Sequence, residues 1–122
     1  MLDNLKYNIR NNLGDKASDE KDKVVEVAEL DWIKFSDNTT TDYKVDVVLG
    51  ADIVFDPDLL PYLVKTLTIL LSNSGVAFIM CCVRNQDTFD QFISLLQASN
   101  LKVKQTLVRE DVMPVMLVTI NS

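Results

Sequence analysis

Eight consecutive apolar residues, Val76 to Val83, stand between two stretches of helical periodicity. An uncharged run of that length reads as a strand covered on both faces, as in a parallel sheet packed between helices. Upstream, Leu59, Leu60, Leu63, Val64, Leu67, Leu70 and Leu71 recur at helical spacing. Asp56 or Asp58 is placed to cap that helix, Pro57 or Pro61 falls in its first turn, and Asn73-Ser74-Gly75 stops it. Downstream, Asn85 is placed to cap a second helix that runs to about Ala98 and buries Phe89, Phe92, Ile93 and Leu96. A further strand, 45–50, precedes the first helix. Strand, helix, strand, helix is the signature of parallel βαβ units.

The end of the chain breaks the alternation. Residues 101–108 alternate and 115–120 are apolar, with the charged turn Arg109-Glu110-Asp111 between them. No helix fits in that gap, so the two segments predict an antiparallel hairpin. At the other end, Leu2, Leu5, Ile9 and Leu13 predict a helix stopped by Gly14. Residues 15–23 mix acids and lysines as a solvated loop, 24–29 predict a strand, and 33–44 read as a polar loop.

The chain has 122 residues, enough for one domain with a real core. Its net charge of −6 argues against a nucleic-acid partner, whose phosphates need a basic surface. No apolar run is long enough to span a membrane, and Met1 leads into a polar amphipathic stretch rather than a signal peptide. Cys81 and Cys82 are adjacent and sit in the apolar run, which predicts free thiols in a reducing, cytoplasmic compartment. With no histidine in the chain, acid–base work falls to other groups. Asp52, Asp56 and Asp58 lack the glycine and terminal glutamate of a calcium loop, and no metal site is expected.

Two acids lie at strand ends, where open α/β sheets bind their ligands. Asp31 follows strand 24–29 in Leu30-Asp31-Trp32, and Asp52 follows strand 45–50 in Gly50-Ala51-Asp52-Ile53-Val54-Phe55. These two motifs, in this order and context, resemble the Leu-Asp-Trp and Ala-Asp-x-x-Tyr signatures of class I S-adenosylmethionine-dependent protein-lysine methyltransferases. Val76-Ala77-Phe78, then Val83-Arg84-Asn85, with Thr88 and Phe89 in the following helix, look most like the eukaryotic elongation factor 2 lysine methyltransferase family.

The resemblance implies an α/β fold: the Rossmann-like seven-stranded methyltransferase fold, here without its first two strands and ending in an antiparallel hairpin. Residues 1–122 would form the carboxyl-terminal part of that domain. The family sheet order implies that 45–50, 76–83, 115–120 and 101–108 form one contiguous sheet, while 24–29 loses its neighbour. The resemblance further implies S-adenosylmethionine as cofactor and a protein substrate, elongation factor 2. Asp31 and Trp32 would contact the adenine, and Ala51 would lie against the methionine part of the cofactor. Asp52 would be the catalytic residue facing the target lysine. Phe55 stands where the family usually has tyrosine and would wall the lysine stem without a hydroxyl to donate. The family's Gly-x-Gly loop has no counterpart among Gly14, Gly50 and Gly75, which predicts weak cofactor binding by the isolated chain. The alternative expectation is a non-catalytic methyltransferase-like remnant acting as a protein-interaction module.

Overall fold

A computed structural model describes residues 30–36, 45–71 and 74–122. The predicted helix 2–13, loop 15–23 and strand 24–29 lie outside the described residues. The chain divides into two compact units, Met1–Asp31 and Trp32–Ser122, and the described helices and strands all belong to the second.

A short helix, α1 (Trp32–Ser36), is followed by β1 (Val47–Ala51) and α2 (Leu60–Leu70). Then come β2 (Val76–Cys82), α3 (Gln86–Ala98), β3 (Lys102–Arg109) and β4 (Val115–Asn121). The strands form one sheet in the order β1-β2-β4-β3. β1 and β2 are parallel, and both pairings of β4 are antiparallel. The predicted contiguous sheet and closing hairpin are therefore both present.

Burial of one face drives the assembly. Ala77, Ile79 and Cys81 of β2 and Val118 and Ile120 of β4 are sealed against Leu60, Leu63, Val64 and Leu67 of α2 and Phe89, Phe92, Ile93 and Leu96 of α3. Phe92 and Leu96 are fully buried, so α3 follows its sequence periodicity closely. Its start is fixed by Asn85, whose Oδ1 accepts from the backbone N–H of Asp87 at 3.0 Å and of Thr88 at 3.3 Å.

Three expectations need correction. Residues 33–44 are not loop throughout, because α1 occupies Trp32–Ser36. Tertiary contact rather than periodicity holds it: α1 packs on α2, and the Thr66 hydroxyl donates to the Trp32 carbonyl at 3.5 Å. Neither Asp56 nor Asp58 caps α2, whose N-cap is Leu59 without a side-chain bond. Asp56 Oδ1 instead accepts from Asp58 N–H at 3.0 Å, closing a local turn before the helix. Finally, β2 is not covered on both faces: Val76, Phe78, Met80 and Cys82 remain half-buried while their neighbours are sealed.

The two parallel strands enter the sheet side by side. Val45 N–H donates to the Leu70 carbonyl at 3.1 Å, and Val76 N–H to the Asp46 carbonyl at 3.0 Å. Gly75 passes so close that a Cβ there would lie 2.5 Å from the Val45 carbonyl oxygen. Only glycine fits this approach.

Candidate active site

Asp52 follows the last residue of β1, at the carboxyl end of the sheet. Its φ of 55° is left-handed, a conformation that aspartate tolerates better than most residues. The turn is pinned by its N–H, which donates to the Met80 carbonyl of β2 at 3.1 Å. The strand thus stops abruptly and leaves an exposed carboxylate at its end.

That carboxylate lines a cleft of about 90 Å³. One wall comes from the segment after β1: Asp52, Val54 and Phe55. The other comes from the end of β2 and the start of α3: Cys82, Val83, Arg84 and Asn85, with Thr88 and Phe89 behind them. Parallel strands place their carboxyl ends together, and this is why two segments distant in sequence share one cleft. Phe55 is 64% exposed, an apolar ring at the mouth. An anionic group beside aromatic and aliphatic walls suits an aliphatic chain that ends in an amine.

The field of Asp52 reaches the core. Burial pushes the Cys81 thiol up from 9.0 to about 11, and the Asp52 charge adds to the effect. Cys82, the next residue, lines the cleft instead.

Asp52 and Phe55 thus line the same cleft. Ala51 lies on the uncovered sheet face, on a shallow apolar ledge with Leu49, Gly50, Phe78, Met80 and Leu117. This ledge suits the aliphatic part of S-adenosylmethionine, and the single methyl of Ala51 leaves room for it. Among the described residues that line it, none offers a charged side chain to a ribose or a carboxylate. Trp32 is half-buried and packs on the core cluster. Asp31 is exposed and ends the first unit. In sequence, Val83-Arg84-Asn85, Thr88 and Phe89 serve the resemblance, a strand end, a helix cap and a helix core, but not the site. The signal that would have placed them in the site is their position just past the neighbouring parallel strand.

A family model described as lysine methyltransferase matches residues 1–99. An uncharacterised protein of Dictyostelium discoideum is 40% identical over 88 residues, covering 67% of this chain and 24% of that protein. The protein-lysine N-methyltransferase EFM3 of Chaetomium thermophilum is 40% identical over 53 residues, covering 42% of this chain and 16% of that enzyme. The matches span about a quarter or less of the length of these relatives.

Proposed function

This chain belongs to the lysine methyltransferase family, and from that premise we propose that it forms the acceptor side of a protein-lysine methylation site. The substrate in this reading is elongation factor 2, and the setting is the cytoplasm, which keeps thiols such as Cys81 and Cys82 reduced. The observation that carries the proposal is Asp52, held by a left-handed turn at the carboxyl end of β1 and lining a cleft with Phe55.

S-adenosylmethionine supplies the methyl group when bound, with Ala51 holding its aliphatic part and Asp31 and Trp32 assigned to the adenine. The chain's own residues act on the lysine. Phe55 and Val54 flank the aliphatic stem and keep water from it. Asp52 attracts the nitrogen and stabilises the positive charge that grows there as the new bond forms. The same carboxylate favours the protonated amine, which cannot attack. Arg84, which lines the cleft as well, opposes that protonated form by like-charge repulsion. The proton leaves to water at the open mouth, and alignment of the neutral amine supplies the rest.

Asp52→Asn tests this reading cleanly, because asparagine also tolerates the left-handed backbone. Methylation of purified elongation factor 2, followed by mass spectrometry, should fall at least ~100-fold with little change in thermal stability. Unchanged turnover overturns the proposal.

A further inference from the structure

We propose that the tip of the β3–β4 hairpin, residues 107–114, is the docking element for the folded protein that presents the acceptor lysine. The assignment rests on the methyl-transfer reading of the Asp52 cleft and says how its substrate is held.

Hairpin tips in water are ordinarily built from glycine, proline and small polar residues. This one carries four large apolar side chains around Arg109-Glu110-Asp111. Val112 is 96% exposed, Val108 53%, Leu107 51% and Met113 48%. A single exposed apolar residue needs no explanation, but a group of four within seven positions marks a contact surface.

The backbone also singles out the tip. Leu107 pairs with Met116 and Arg109 with Val115, so Val108 is an extra, unpaired residue. A bulge of this kind increases the local twist and re-aims the side chains beyond it.

Position turns the surface into a docking site. β4 runs antiparallel to β2, so the tip emerges at the end of the sheet where β1 and β2 finish. Val115 pairs with Cys82, and Val83 N–H donates to the Pro114 carbonyl at 2.9 Å. Cys82 and Val83 both line the Asp52 cleft. The tip is therefore hydrogen-bonded to the wall of the cleft, and Phe55 offers another exposed apolar ring at its mouth.

The occupant follows from the chemistry. A lysine that enters the cleft belongs to a protein surface, and that surface must lie over the rim. The tip suits an apolar patch beside the lysine. Arg109 faces Asp111 at 3.9 Å, and with Glu110 the turn keeps a net negative charge that suits a basic flank on the partner.

Val112→Asp in the full-length protein tests the assignment, with Val112→Ile as the conservative partner. Val112 is almost wholly exposed, so neither change should move the melting temperature. With purified elongation factor 2 as acceptor, Val112→Asp should raise KM about tenfold and leave kcat as it was. Val112→Ile should restore the original KM. An unchanged KM, or a loss confined to kcat, overturns the docking assignment and leaves the Asp52 reading standing. Absence of transfer by the unmodified protein overturns both.

Discussion

On one face of β2, Ala77, Ile79 and Cys81 are sealed beneath α2 and α3, while on the other Phe78 and Met80 stay half-buried beside Leu49, which is 78% exposed. The two faces are equally apolar in sequence. They differ in what the described chain lays over them. The closed face holds the unit together, because its side chains are packed from both sides. The open face contributes an apolar ledge and, at its carboxyl end, the approach to Asp52. Apolar composition records how much a strand gains from being covered. It does not record which element covers it.

The sharpest way to break this comparison is to truncate neighbouring residues of one strand. Ile79→Ala on the closed face should cost about 3 kcal/mol in urea denaturation, through lost transfer energy and the cavity left behind. Phe78→Ala on the open face should cost about 2 kcal/mol despite the larger side chain, because the ring keeps part of its surface in water and its loss leaves no enclosed cavity. Equal losses would show that the open face is as well packed as the closed one.

A smaller effect is expected at the start of α3, the helix that covers the closed face. Asn85→Ala removes the cap on Asp87 and Thr88 and should lower stability by about 1 kcal/mol, whereas Asn85→Asp should retain it. A stable Ala variant would mean that packing of Phe89 and Phe92 alone fixes the helix start.

The subtlest contrast lies between the adjacent thiols. Cys82 should react with a disulfide reagent in the native protein, and Cys81 only after unfolding. Because the folded Cys81 pKa is raised from 9.0 to about 11, the folded state favours the neutral thiol. The unfolded chain loses that proton first. The stabilisation is therefore complete below about pH 9.0 and is lost as pH rises through about 11. Cys81→Ala should flatten that part of a stability–pH curve, and an unchanged slope would remove Cys81 as its source.

The sequence made the scaffold of this unit legible. α3 follows from a period and a cap that agree, α2 from its period alone, and the hairpin from two strands with no room for a helix between them. The order of the four strands was legible through the resemblance rather than through periodicity. α1 was not, since five residues are too few for a helical period and Thr66 and α2 hold them from a distance. Asp56 misled because the same carboxylate serves an N-cap or a local turn, and sequence spacing fits both. Half of the cleft was legible: Asp52 and Phe55 lie in one motif after one strand. The wall from Cys82 to Phe89 belongs to the next strand and helix, and it joins the site only because parallel strands end together.

Gly75 gives that juxtaposition a mechanical tolerance. It sits where β1 and β2 enter the sheet, and a single methyl group there would press on the Val45 carbonyl. One relief of that pressure is for the strands to slide past one another. β1 is a rigid rod of five residues, so its far end must move with its near end. Asp52 would then shift against Cys82 at a distance of about 20 Å from the substitution. A position with no chemistry of its own therefore sets the gap between the two jaws of the cleft, as a shim sets the gap of a vice.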